Sequence, residues 1–188
     1  MNENKEIRLL DVKAETRSED DGKMILEGYA VVYDSPATHG YTEIIDRNAF
    51  NECDMSDVCL KYNHEDNLLI MARTRNNSLQ LILDDRGLKI KAELLDTTQN
   101  RDIYKMVQAG LLDKMSFAFT VDKDEWDYET DTRRILSIDK LYDVSVVDVP
   151  FYDSTEIYAR NWEAGKKEYE ERKKLQLEIE KTKLLLSL

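Results

Sequence analysis

The run Gly110-Leu-Leu-Asp-Lys-Met-Ser-Phe-Ala-Phe119 holds a single hydroxyl, Ser116, and the strand-like segment Val58-Cys-Leu-Lys-Tyr-Asn-His64 ends in one of only two histidines. A serine hydroxyl is a poor nucleophile unless a base takes its proton, a third group holds that base, and donors meet the developing oxyanion. Imidazole titrates near neutral pH, and a positioned proton transfer is worth about 100- to 10,000-fold in rate, so His64 is the candidate base. The orienting acid is sought in Leu141-Tyr-Asp-Val-Ser-Val-Val-Asp-Val149, an apolar strand pattern interrupted by Asp143 and Asp148. Their odd separation sends them to opposite faces, so one of the two can face the site. This constellation points to acyl transfer by a serine hydrolase.

Each residue also has a plainer use. A strand serine is commonly a satisfied core or surface hydroxyl, a histidine before Glu65 and Asp66 suits a solvated turn, and Asp143 suits an edge charge that discourages aggregation. Cys59 is a poor alternative nucleophile: its odd separation from His64 puts the two on opposite faces of one strand, and a buried structural thiol fits better. His39 and His64 lack the helical spacing that would set metal ligands on one face, so neither a metal nor another cofactor is expected.

The elements that must position these groups follow from the pattern. In a strand, Met115, Phe117 and Phe119 face one way, and Ser116, Ala118 and Thr120 face the other, over a shallow, open surface. Met24 to Tyr33 reads as a strand closed by the turn Asp34-Ser35-Pro36, and Asp46 as the cap of a short helical turn in Glu43 to Phe50. Ser78 to Leu83 and Leu88 to Leu94 form a hairpin around Asp84 to Gly87, with the glycine supplying a positive backbone angle. Thr98 to Ala109 changes to helical spacing, with Ile103, Met106, Val107 and Leu111 on one side and Gly110 as the stop. An acidic connector, Asp122 to Thr132, leads to two strands, Arg134 to Ile138 and Leu141 to Val149.

At 188 residues the chain suits one core, residues 1–160, with an appendage. Residues 161–188 carry seven Lys/Arg against six Glu, and the other 160 carry twenty against thirty-three, so a charge break falls near Arg160. The tail lacks Gly and Pro past Lys166 and reads as a projecting charged helix. A net charge of −12 argues against free nucleic acid as partner. No apolar stretch approaches the roughly 20 residues of a membrane span, no secretory pattern opens the chain, and the two cysteines read as reduced cytosolic thiols.

Taken in order, Glu43-Ile-Ile-Asp-Arg-Asn-Ala-Phe50, Leu60-Lys-Tyr-Asn-His-Glu65, Gly110 to Phe119 and Leu141 to Pro150 resemble the prohead serine protease family of tailed bacteriophages, whose fold is similar to that of the herpesvirus assemblin proteases. The resemblance implies an α+β fold around a largely antiparallel, barrel-like sheet. It implies His64 as general base, Ser116 as nucleophile and Asp143 as the orienting acid, where relatives often carry Glu; Ala118 stands where many have glycine. It further implies a serine endopeptidase that works in the infected host's cytoplasm, inside the immature capsid, cutting scaffolding segments from the major capsid protein and cutting itself. The sequence leaves open whether copies of the chain form a homo-oligomer, and the tail is expected to dock on scaffold or be lost in self-processing. The competing reading is a non-enzymatic capsid-assembly or scaffold-binding module.

Overall fold

The computed structural model describes residues 5–10, 14–18, 23–38, 40–148, 171, 173 and 174. The fold is mixed α+β, mostly strands. A seven-stranded sheet is built around a hairpin of two long strands, β10 (Lys114–Asp127) and β11 (Thr132–Val147). β1 (Glu6–Leu10) pairs antiparallel with the free edge of β10. The other edge of β11 is shared. β5 (Thr42–Ile45) lies parallel to its first half and, through β5, β4 (Ala37–Thr38) joins the sheet; β6 (Cys59–Tyr62) lies parallel to its second half and carries β7 (Ala72–Arg73).

The second sheet has four antiparallel strands in the order β2 (Ala14–Ser18), β3 (Met24–Val32), β9 (Gly87–Leu94), β8 (Leu79–Leu83). Leu26, Val31, Leu88 and Ile90 of this sheet share one core with Phe117, Phe119, Ile135, Leu141 and Val144 of the larger one. The barrel-like closure expected from the resemblance is corrected here: among the described residues the strands form two open sheets, with β1 and β4 at the ends of one and β2 and β8 at the ends of the other.

Helix α1 (Thr98–Gln108) starts where the Thr97 hydroxyl accepts the Asn100 N–H at 3.2 Å, and ends as Gly110, at φ 71°, lets the Gly110 and Leu111 amides reach the carbonyls of Val107 and Met106. Of the expected stripe Ile103 and Val107 are buried, joined by Asn100 and Tyr104, while Met106 and Leu111 are exposed. The polar Asn100 is drawn in because its side-chain amide donates to the Leu95 carbonyl at 2.9 Å.

Three other local expectations change. The acidic connector is largely strand, since β10 runs through Asp127 and only residues 128–131 turn the chain, with the Asp127 carboxylate accepting the Glu129 amide at 2.9 Å. The two expected later strands are one, β11. Gly87 does not take a positive φ; a side chain there would put Cβ 2.0 Å from the Val31 carbonyl oxygen, so close approach of β3 is what requires glycine. Asp46 stands as expected at the head of a turn, its carboxylate accepting the Asn48 amide at 3.0 Å. The boundary at residue 160 and the projecting helix lie outside the described residues, apart from the helical residues Glu171, Lys173 and Lys174.

Candidate active site

β10 places Ser116 by alternation. Met115, Phe117 and Phe119 are fully buried in the core, with the two phenyl rings stacked at 4.7 Å, so Ser116 and Ala118 turn to the opposite face. Across the β10–β11 ladder Ser116 is directly opposite Ser145, and Ala118 opposite Asp143. Asp143 and Ser145 are two apart, so both share the face of Ser116.

His64 does not extend β6. The chain leaves the strand at Tyr62, and Asn63 and His64 take left-handed backbone angles, φ 51° and 56°. Two consecutive residues of this kind cost about 1–2 kcal/mol each, with asparagine the better tolerated. The cost is offset by a clamp from the end of β11. Asn63 Nδ2 donates to Asp148 Oδ1 at 2.8 Å, the Asp148 amide returns a bond to Asn63 Oδ1 at 3.2 Å, and the Tyr62 hydroxyl donates to Asp148 Oδ2 at 2.7 Å. The turn swings the imidazole back over β11 and β10, which the strand alternation assumed for Val58 to His64 did not foresee.

The three chemistry-bearing side chains meet. His64 Nε2 lies 2.6 Å from Ser116 Oγ, and His64 Nδ1 is hydrogen-bonded to Asp143 Oδ1. Ser145 Oγ is 3.2 Å from both His64 Nδ1 and Asp143 Oδ1, and accepts the His64 main-chain N–H at 3.2 Å. On its other oxygen Asp143 faces Lys5 Nζ at 3.0 Å and Lys61 Nζ at 3.8 Å. Burial alone would lift the Asp143 carboxyl, but the bonds and charges of His64 and Lys5 outweigh it and hold the group below the ordinary carboxylate range. Asp143 thus stays ionised, hydrogen-bonded to the imidazole edge opposite the hydroxyl. Asp148, on the other face as parity required, touches the turn rather than the imidazole.

One expectation about Ser116 is overturned. Its face is not open: the residue is fully buried, and Leu9 of β1 is its antiparallel neighbour. Ser116 Oγ donates to the Arg8 carbonyl oxygen at 2.6 Å. With one proton to give, the hydroxyl must turn it from Arg8 to Nε2 before the imidazole can remove it. β1 is anchored by Arg8, whose buried guanidinium is paired with the buried Glu43 carboxylate and set 5.6 Å from the Phe119 ring.

Cys59 pairs with Asp143 along the β6–β11 ladder and makes no hydrogen bond to His64 among the described residues; burial pushes its thiol up, and pushes that of Cys53 up to about 12. His39 lies outside the described residues. Sequence reasoning missed Ser145, Lys5 and Lys61. Ser145 was legible in principle, since an even separation from Asp143 puts it on the same face; nothing in local sequence brings Lys5 across 138 positions to the acid.

The arrangement has the parts of a serine peptidase: a hydroxyl, an imidazole within reach of it, and a buried carboxylate on the far ring nitrogen. The chain matches the family model for caudovirus prohead serine proteases over residues 11–169, and it belongs to that family. Membership makes it a capsid-maturation protease of tailed phages. Among solved structures it is similar to the bacteriophage T4 capsid assembly protease, gp21, at 11% identity and a TM-score of 0.48, covering 76% of this chain and 98% of that one. No curated protein matches the chain.

Proposed function

We propose that this chain is a serine endopeptidase in which Ser116 attacks the substrate carbonyl, His64 is the general base and then the general acid, and Asp143 orients the imidazole and stabilises its protonated form. The observation that carries the reading is the continuous path Asp143 Oδ1, His64 Nδ1, His64 Nε2, Ser116 Oγ, with 2.6 Å at its reacting end. His64 Nε2 takes the hydroxyl proton as Oγ adds to the carbonyl, then returns it to the leaving amine; water repeats the cycle on the acyl-enzyme. An ionised Asp143 selects the tautomer with hydrogen on Nδ1, which leaves Nε2 free to accept.

Family membership supports capsid proteins as the substrate class. The finer proposal is cleavage of scaffolding segments of the major capsid protein inside the prohead of the infected host, with self-cleavage, and with the tail beyond residue 160 as docking element or processed segment. A fluorophosphonate probe followed by peptide mass mapping tests the reading. Modification at Ser116 in the wild type, lost in His64→Ala, is the expected result. Absence of Ser116 modification under conditions that cleave capsid protein would contradict it, and a chain that neither reacts nor cleaves would favour the non-enzymatic assembly module.

A further inference from the structure

Ser145 is fully buried, directly opposite Ser116 on the neighbouring strand, and its oxygen contacts three separate parts of the site. It accepts the His64 main-chain N–H at 3.2 Å, lies 3.2 Å from His64 Nδ1, and donates to Asp143 Oδ1 at 3.2 Å. A hydroxyl has one hydrogen and two lone pairs, so these roles are compatible: the hydrogen goes to the carboxylate, one lone pair receives the amide, and the other faces the Nδ1–H.

We propose that Ser145 is a positioning residue that couples the backbone of the base to its carboxylate through one shared oxygen. The inference rests on the catalytic reading above and adds to it a reason why the imidazole stays aimed. His64 sits in a left-handed turn beyond the end of β6, where no strand ladder holds its amide. The Asp148 clamp grips Asn63, one residue earlier, and leaves the His64 amide to Ser145. Without the Ser145 hydroxyl that amide has no acceptor among the described residues, the Asp143 oxygen loses a donor, and the ring is held only by its bonds to Asp143 and Ser116. The Ser145 hydroxyl bonds to His64 and Asp143 and not to the Ser116 hydroxyl among the described residues, so its effect travels through the base and its carboxylate.

The test uses the full chain with Ser145→Ala, Ser145→Thr and Ser116→Ala. The chain's two histidines make the His64 ring and amide signals assignable by nuclear magnetic resonance. In the wild type the His64 amide should be protected from hydrogen exchange, and its Nδ1–H should give a downfield resonance. In Ser145→Ala the amide should lose protection and the Nδ1–H resonance should broaden or move upfield. Cleavage of co-expressed cognate major capsid protein should fall by roughly 100-fold, the scale that follows small misplacements of a reacting group. Ser145→Thr, which keeps the oxygen, should recover most of both.

A folded Ser145→Ala with wild-type His64 signals and wild-type cleavage would overturn the proposal. If Ser145→Ala does not fold, a wild-type His64 amide that exchanges at the unprotected rate would overturn it instead, and a protected one would support it. These signals need no turnover. Equal cleavage by wild type and Ser116→Ala would therefore sink the catalytic reading while the positioning role is still decided on its own.

Discussion

His64 Nε2 and Ser116 Oγ, 52 residues apart in the chain, stand 2.6 Å apart in the fold. The contact depends on two unrelated pieces of backbone. The start of β10, in regular register with β11, presents the hydroxyl, and a left-handed step after β6 turns the imidazole toward it. Because β6 and β10 are not neighbours, β11 between them sets the distance, and it supplies Asp143 and Ser145 from the same face.

Asp143→Asn should keep the fold and lose about 10,000-fold in cleavage rate, the size of loss seen when the orienting carboxylate of a serine triad becomes an amide that favours the wrong tautomer. Capsid-protein cleavage over a time course checks this; a loss under about tenfold would remove Asp143 from the role given to it.

The same carboxylate makes stability depend on pH. Burial opposes its charge, but His64 and Lys5 hold its folded-state pKa below the usual value, so its contribution is present above the unfolded value, near about 3.9, and is lost as pH falls through the folded value. The denaturation midpoints of wild type and Asp143→Asn should therefore differ most at neutral pH and converge on acidification. A gap that stays constant down to strongly acid pH would contradict the assignment.

Glu43 lies between two buried arginines, paired with Arg8 and 3.2 Å from Arg133, and so ties β1 and β11 to β5. Glu43→Ala leaves both guanidiniums without that partner, and removing one member of a buried ion pair costs about 3–5 kcal/mol. Urea denaturation should show a loss of this order, and a change under about 1 kcal/mol would mean the network does not hold β1 in place.

Gly87→Ala would drive Cβ to 2.0 Å from the Val31 carbonyl oxygen, a backbone atom that cannot swing aside. Overpacking of this kind costs about 1–3 kcal/mol or more. The variant should melt at lower temperature than wild type, and unaltered melting would show that the two strands separate more readily than their packing implies.

Much of the site was readable before folding was considered. Alternation alone put Ser116 opposite the core-facing Met115, Phe117 and Phe119, and odd parity alone separated Asp143 from Asp148, because both rules act within one strand. What failed needed partners distant in sequence. The covering of Ser116 by β1 joins residues 108 apart, the merging of two strands into β11 follows from pairing with a β10 longer than its hydrophobic pattern, and the helix face shifted because Asn100 found a carbonyl to bond. The turn pattern marks Gly87 as a glycine position through a torsional requirement it does not have; the cause is the neighbouring Val31 backbone, which local sequence does not reveal.

The central claim is that the Ser116 hydroxyl performs the cleavage, and intact-mass analysis after co-expression with the cognate major capsid protein tests it directly. Wild type should give a shortened capsid protein, and folded Ser116→Ala should leave it at full length. Capsid protein cut equally by purified Ser116→Ala would contradict the account.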